Sequence, residues 1–345
     1  MQAVLIHRHG GAEQLCYQEC AEPALKWPHD VIVKLKAAAL NRIDLRIRRG
    51  AGAVAVSLPH ILGCDGAGVV VDRGAEARNV GIGEAVCLLP AAGCGRCEYC
   101  STDREALCEQ FRHLGERDNG TYAEYVSVPA RNCYPMPAGL SFEEAAAFPL
   151  VFATAWRMLQ RDAKLKPGEW ILIRGIGGGV ASAALCLARH LGVHAIVTSH
   201  SDEKLTRAQT LGAEHGINSK AADFAAEVRR VTAKRGVDVV VDSVGGDGWS
   251  QSLASLARGG RLVTCGAIGG SEPQTNLQRI FWNHLKIIGS TLSSRQEFSQ
   301  LLRFFEVTRT KPVLDEIFSL QDAAEAQRRL ESGAQFGKIV LRMDN

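Results

Sequence analysis

The sequence predicts an α/β protein in which a doubly wound parallel sheet is inserted between two parts of a β-rich domain. Three changes of texture carry this reading. Residues 1–150 read as short apolar strands broken by Gly and Pro, and from about Lys166 strands and helices alternate. From about Thr291 a mixed texture returns and closes on Gly337-Lys-Ile-Val-Leu341. At roughly 150 residues per domain, 345 residues make about two domains, each large enough for its own core.

In the first part, Val31-Ile-Val-Lys-Leu-Lys36 and Tyr122-Ala-Glu-Tyr-Val-Ser-Val128 alternate apolar and polar residues, as half-buried strands do. Lys166-Pro-Gly-Glu169 is a turn and Trp170–Ile173 a short buried strand. Val180 to Leu191 reads as a helix stopped by Gly192, and Ala195–Thr198 as the next strand. Ser201 can cap a helix that runs to Leu211 and ends at Gly212. Val237–Asp242 and Arg261–Cys265 are further strands, with a helical stretch around Ser250–Ala257 between them. Short strands alternating with helices imply parallel pairing through right-handed crossovers.

Composition narrows the class. With 40 Lys+Arg against 37 Asp+Glu the net charge is +3, too small for a dedicated polyanion binder, so no nucleic-acid partner is expected. An apolar fraction of 46% with 22% charged residues is that of a folded globular chain. The apolar run before His7 is too short for a signal peptide. Ala145–Trp156 is interrupted by Pro149 and falls short of the ~20 residues that span a bilayer, so no membrane partner is expected. Eleven cysteines, an odd count without a secretion signal, point to the cytoplasm and to metal or thiol chemistry.

Gly175-Ile-Gly-Gly-Gly-Val-Ala181 lies between the first strand and first helix of the parallel unit. A loop without β-carbons lets the backbone approach a pyrophosphate, and the helix N-terminus offers free N–H groups. The register is imperfect: counted from Gly175 the last position is Val180, and counted one residue later the triplet is Ile176, Gly178 and Ala181. Gly175, Gly177, Gly178, Gly179 and Val180 are nonetheless candidate dinucleotide contacts, because strand, loop, helix and second strand follow in order. An NAD site places an acid at the end of the second strand. Here Thr198-Ser-His-Ser201 has none, and Ser199, His200 and Lys204 suit a 2′-phosphate. NADP(H) is therefore expected over NAD(H), unless Ser201 and Asp202 merely cap the next helix.

Cys94, Cys97, Cys100 and Cys108 form C-x₂-C-x₂-C-x₇-C. Four thiolates complete a tetrahedral zinc shell and leave no open position, so one structural Zn²⁺ that staples a loop is expected. An Fe–S cluster or a redox pair is the competing reading.

These features resemble the medium-chain dehydrogenase/reductase superfamily from end to end. The lobe at 93–109 is similar to the structural zinc lobe of the zinc alcohol dehydrogenases. Leu40-Asn-Arg-Ile-Asp44, Gly63-Cys-Asp-Gly-Ala-Gly68, Gly120-Thr-Tyr-Ala-Glu-Tyr125, Ile288-Gly-Ser290 and Gly337-Lys-Ile-Val-Leu341 fall in that family's order. The resemblance implies a GroES-like catalytic domain at 1–151, a Rossmann domain at 152–289, a return to the catalytic domain at 290–345, and homodimers or homotetramers. It also implies hydride transfer at a nicotinamide ring for a small-molecule substrate.

The departures are as informative. The second, catalytic zinc of that family is held by a Cys, the His of Gly-His-Glu and a later Cys, and these positions are Asn41, Cys64 and Leu150 here. The Glu is Asp65, and the Ser/Thr of the proton relay is Ile43. A catalytic Zn²⁺ needs about three protein ligands, and only Cys64 could serve, though a small buried residue is its simpler reading. Asn at the first position is similar to the metal-free quinone oxidoreductase and enoyl reductase branches, and the chain looks most like the acryloyl-CoA reductase-like branch. The expected function is NADP(H)-dependent reduction of an activated C=C or a quinone without a catalytic metal. Asn41 would line the nicotinamide pocket and donate to substrate oxygen, with Asp44 orienting it or satisfying buried backbone groups. By position, Thr154 and the Gly266–Ile268 turn would meet the nicotinamide, Gly178–Val180 the pyrophosphate, and Lys338 a phosphate. His60 and Trp282 are pocket wall or simple packing. Two alternatives stay open: an alcohol dehydrogenase with an unusual metal site drawn from Asp44, His60, Cys64 and Asp65, and a non-catalytic dinucleotide-binding or redox-sensing protein.

Overall fold

The computed structural model describes residues 1–51 and 55–343. The chain forms two compact units, one of residues 1–150 together with the segment from Ser294, the other of Val151–Ser293. No helix among the described residues is long and apolar enough to cross a membrane.

The first unit is built around one long strand, Asp30–Ala39, in a seven-stranded sheet. One edge of it pairs antiparallel with Asp65–Arg73. The other is shared by Tyr125–Pro129, opposite residues 30–34, and Lys338–Arg342, opposite residues 37–39. The alternating side chains Val31, Val33 and Leu35 enter the core with Val126, Val128 and Leu341. At the end of this strand Ala39 lies between Asp65 on one side and Val340 on the other. The Leu40 N–H donates to Ile339 C=O at 3.0 Å and carries the pairing one step further, so the antiparallel register sets Lys338 opposite Asn41.

A seven-residue helix, Arg42–Arg48, starts immediately after Asn41. Its last residue, Arg48, is fully buried. The guanidinium donates to Gly10 C=O at 3.1 Å, to Gln327 Oε1 at 2.5 Å and to Glu331. Gln327 and Glu331 belong to Ala323–Ser332, so this arginine clamps the start of the site to the returning C-terminal segment. Tyr122–Glu124, read as part of a strand, lie outside Tyr125–Pro129: Tyr122 N–H donates to Leu62 C=O, and Ala123 bridges to Ala3 in the smaller sheet.

The second unit is a six-stranded parallel sheet in the order His215–Asn218, His194–Ser199, Trp170–Ile173, Val237–Asp242, Leu256–Thr264, Lys286–Gly289. That order is the doubly wound Rossmann order, and Leu172, Ile196, Val240 and Leu262 fill its centre. The first helix is Gly179–His190 and the second Asp202–Thr210, where Ser201 Oγ accepts from Lys204 N–H as the cap. The helix expected near 250–257 is Trp249–Ser255, and the strand expected from Arg261 begins already at Leu256. That earlier start includes a register shift in its pairing with Val237–Asp242, which masks the strand pattern. The strands His215–Asn218 and Lys286–Gly289 lack a continuous apolar run and were not singled out, nor was the Asp223-capped helix Phe224–Val231, although Phe224, Ala225 and Val228 give it one buried face.

Replacing Arg48 with Met should lower stability by about 3 kcal/mol, because it strands buried polar partners. Arg49, half-exposed on the same Glu331, should cost less than about 1 kcal/mol on the same change. Urea unfolding of both variants checks the contrast.

Candidate active site

In the second unit, the cofactor candidates gather at the carboxyl ends of the central strands. Gly175 N–H donates to Thr198 Oγ1 at 3.3 Å and Ile176 N–H to Thr198 C=O at 2.8 Å, tying the glycine loop to the end of the second strand. Gly175 and Gly177 have φ of +70° and +107°, and a β-carbon on Gly175 would lie 2.9 Å from Val244. Gly178 is the helix N-cap and has no side chain to cap the first turn, whose N–H groups therefore suit an anion. Gly179 and Val180 form that first turn. Arg174 and Asp242 brace the loop from below through a 2.6 Å bond, and Asp242 also accepts from Val244 N–H, Gly245 N–H and Ser252 Oγ at 2.9 Å. Gly266 and Ile268 lie in the adjoining loop, which is tied to Val244 C=O through Gly269 N–H, and Ile268 is exposed. Thr154 is buried in the helix Pro149–Trp156.

At the end of the second strand, Ser199 Oγ accepts from Ser201 N–H at 3.1 Å, and His200 is exposed. The nearest acid, Asp202, accepts from Asn218 Nδ2 at 2.8 Å. Lys204 is half-buried in the first turn that follows.

In the first unit, the Sγ atoms of Cys94, Cys97, Cys100 and Cys108 all lie within 4.8 Å of one another. Cys94 and Cys100 are 4.0 Å apart, close to the roughly 3.8 Å edge of a tetrahedron with Zn–S bonds near 2.3 Å. Cys94 N–H donates to Cys108 Sγ, the kind of backbone contact that favours a thiolate. The donor set fits a closed zinc site.

The second cluster sits at the end of the central strand. Asn41, Asp44, Cys64, Asp65, Tyr122 and Lys338 are all buried there. Lys338 Nζ donates to Leu40 C=O at 2.7 Å, Asn41 Oδ1 at 2.6 Å and Asp65 Oδ2 at 3.1 Å. Asn41 Nδ2 donates to Asp65 Oδ2 at 2.8 Å and also to Cys64 Sγ and Ala39 C=O, both at 3.3 Å. An ammonium on one end of the amide and a carboxylate on the other allow a single orientation. Asp65 Oδ1 accepts from Leu150 N–H at 2.9 Å. Asp44 Oδ2 accepts from Asn41 N–H at 2.8 Å and Tyr122 Oη at 2.9 Å. Burial pushes the Asp44 carboxyl up to about 6, against the pull of those two bonds. Burial likewise raises the Cys64 thiol and the Tyr122 phenol well above their ordinary ranges, so both stay protonated at neutral pH. A β-carbon on Gly63, where φ is +99°, would lie 2.4 Å from the Tyr122 ring, which explains the glycine before Cys64.

This arrangement brings Asn41 and Asp44 together, as expected. It corrects the expectation for Lys338: an ammonium has three donors, and all three have acceptors inside the unit, so none is left for a cofactor phosphate. The sequence marks Asp65 only as the residue at the Glu position and as a candidate metal ligand, not as the partner of Lys338, and the phenol of Tyr122 was not singled out. His60 is buried and bonds Gly115 C=O at 2.9 Å, and Trp282 is exposed and so is not packed in the core of its unit. The cluster does not fit a metal site. Its one sulfur is a buried thiol, Leu150 offers only a backbone N–H, and of its two carboxylates Asp65 is paired with an ammonium that would repel a dication while Asp44 is held by Asn41 N–H and Tyr122 Oη.

The comparisons agree with this architecture. The alcohol dehydrogenase GroES-like domain model matches residues 27–138, and the zinc-binding dehydrogenase model matches residues 179–307. An NAD-dependent alcohol dehydrogenase of Sulfolobus acidocaldarius is 32% identical over 99% of this chain and 100% of its own. A crystal structure of an NAD-dependent alcohol dehydrogenase superposes with a TM-score of 0.95 at 41% identity, covering 99% of both chains. A cobalt- and zinc-bound thermostable alcohol dehydrogenase from Pyrobaculum aerophilum gives a TM-score of 0.89 at 31% identity, again over 99% of both. The chain belongs to the medium-chain dehydrogenase/reductase superfamily, in its zinc-type alcohol dehydrogenase-like family, and is an NAD(P)-dependent oxidoreductase of that type.

Elemental analysis of the purified protein should find one zinc per chain, and Cys97→Ser should lose it. Two zincs per chain would put a metal at the Asn41 cluster.

Proposed function

We propose that the chain is an NADP(H)-dependent reductase of activated double bonds, such as enones or enoyl thioesters, or of quinones, and that it works without a catalytic metal. The observation that carries this reading is the bonding of Asn41, at one of the expected metal-ligand positions, to Lys338 and Asp65, with Cys64 beside it a buried thiol. A bound dihydronicotinamide supplies a hydride. Delivered to the β-carbon of a conjugated acceptor, the hydride pushes the π electrons onto the carbonyl oxygen, and water protonates the α-carbon of the resulting enolate. An isolated carbonyl would instead become a localised alkoxide, for which a Lewis acid is the usual stabiliser. An enolate spreads its charge and can be held by hydrogen-bond donors and a fixed cation.

The chain's own residues support this in separate ways. The first-turn N–H groups of Gly179–His190 suit the pyrophosphate, and Thr154, Gly266 and Ile268 take the nicotinamide by family position. Ser199, His200 and Lys204 suit a 2′-phosphate, and the strand end lacks the carboxylate that would repel one. Asp44 positions Asn41 by holding its backbone N–H. The second reading is NAD-dependent alcohol oxidation, which the names of the relatives favour.

One assay separates them. NADPH oxidation should be fastest with an enone, enoyl thioester or quinone, and kcat/KM should favour NADPH over NADH by at least about tenfold, roughly 1.4 kcal/mol. Removing both His200 and Lys204 side chains should erase that ratio. Turnover led by simple aldehydes, with NADH preferred, would establish the second reading.

We also propose that the protein is a homodimer or homotetramer. Leu277, Phe281 and Trp282 are 64–70% exposed and precede the edge strand Lys286–Gly289, whose outer side pairs with no strand among the described residues, and such an edge invites pairing with a second copy. Phe281→Glu combined with Trp282→Glu should reduce the mass measured by light scattering to that of one chain.

A further inference from the structure

We propose that a pocket beside the cysteine lobe binds the phosphate or diphosphate group of a small molecule, held by Arg96, Arg112, Arg117 and Arg131. The proposal does not depend on which acceptor the enzyme reduces.

The pocket follows from how the lobe is tied to the first unit. Ala91–Ala92 pairs antiparallel with Arg112–His113, which brings Arg112 beside the start of the lobe. Asn132 Nδ2 donates to Leu89 C=O at 2.9 Å and to Ala91 C=O at 3.2 Å, so its neighbour Arg131 arrives at the same place. The Arg131 guanidinium donates to Gly93 C=O at 3.0 Å. A β-carbon on Gly95 would lie 2.7 Å from Arg131 Nη1, so the glycine leaves that guanidinium room. With Arg96, Gln110 and Arg117 these segments line a half-open pocket of about 270 Å³, all of it within the first unit.

The lining carries four guanidiniums and no carboxylate. Among the described residues, the one ion pair that any of the four makes is Arg112 with Asp118 at 3.7 Å, and Asp118 also lies 3.4 Å from Lys26. The Arg96 and Arg117 side chains make no hydrogen bond or ion pair among the described residues. Cations converging on one space repel one another. Cys94 also lines the pocket, and a closed site of four thiolates with Zn²⁺ carries about −2, which offsets roughly half of the arginine charge. The remainder suits a further anion. A phosphate group is close to dianionic at neutral pH and accepts forked pairs of N–H bonds from guanidiniums, whereas a carboxylate brings a single charge. The volume falls below the roughly 300–1,000 Å³ of pockets that enclose a drug-sized ligand, so one or two phosphate groups fill it and the rest of the molecule lies outside.

Two sources of that group are open. Between Arg112 and Arg117 lies Gly115, where a β-carbon would be 2.4 Å from the Gly63 carbonyl oxygen, so the loop bearing both arginines packs against the residue before Cys64. The phosphate is therefore either that of a free metabolite or that of the carrier on a thioester substrate.

The test is calorimetric titration of zinc-loaded protein with inorganic pyrophosphate. The protein is first saturated with whichever nicotinamide cofactor it binds more tightly, which occupies the glycine loop. The wild type should bind with a Kd below about 1 mM, and Arg96→Gln combined with Arg117→Gln should weaken it at least about tenfold. Both side chains are exposed, so zinc content and melting temperature should not change. Absence of binding by the wild type, or equal binding by the variant, overturns the proposal. Loss of zinc from the variant also overturns it, because the arginines would then serve to balance the thiolates. The source is read from kinetics with one enoyl group carried on coenzyme A or on N-acetylcysteamine, which has no phosphate. A KM raised in the variant for the first alone brings the phosphate in on the substrate. Unchanged KM for both, with pyrophosphate binding weakened, makes it a free ligand. If neither thioester is reduced, the substrate class proposed above fails, while the titration still decides the pocket.

Discussion

The register at the end of strand Asp30–Ala39 is the constraint on which the rest of the first unit depends. Ala39 is flanked by Asp65 and by Val340, so three segments far apart in the chain end side by side. Side chains in a strand alternate faces, and a slip of one residue on either side would turn Asp65 or Lys338 away from Asn41. The surroundings enforce that register. Gly63 admits the Tyr122 ring, Thr121 Oγ1 bonds Asp65 C=O at 2.8 Å, and Arg48 clamps the helix after Asn41 to the C-terminal segment. The chemistry of the cluster is thus a consequence of sheet pairing, with no dedicated loop.

The two clusters of the first unit solve opposite problems. The lobe around Cys94–Cys108 has only a four-residue helix and a single 3-10 turn, little regular structure to hold its shape, and its four cysteines fit a closed metal site that would stand in for the missing core. The Asn41 cluster is embedded in a well-packed sheet and needs no such staple. A buried ion pair there adds little net stability, because desolvation offsets most of its attraction. Its value is orientation: Lys338 and Asp65 together fix which end of the Asn41 amide points where.

What could be read from the sequence follows the range of the interactions. The Rossmann unit was legible because each strand, turn and helix announces itself within about ten residues, and its glycine loop lies on that local grammar. The four cysteines were legible because their spacing is itself local. The loss of metal ligands at Asn41, Cys64 and Leu150 was visible position by position. The bond between Lys338 and Asn41 was not, since it joins residues 297 apart through a strand pairing that no local period records. The Tyr122–Asp44 bond was hidden for the same reason, being 78 residues apart, and the edge strands His215–Asn218 and Lys286–Gly289 were missed because, unlike Trp170–Ile173, they are not continuous apolar runs.

The choice of lysine at 338 follows from this geometry. The three acceptors, Leu40 C=O, Asn41 Oδ1 and Asp65 Oδ2, come from the strand end, from the residue that begins a helix and from the neighbouring strand, and they converge on one point. A tetrahedral ammonium meets three converging acceptors with one hydrogen each. A planar guanidinium spreads five donors in a fork and would leave some of them unmatched in this closed space, which costs free energy when buried. The convergence also concentrates the charge. A compact ammonium at 2.6 Å from the amide oxygen, with the Asp65 carboxylate 2.8 Å from the amide nitrogen, holds the Asn41 amide in one orientation more tightly than a delocalised cation would.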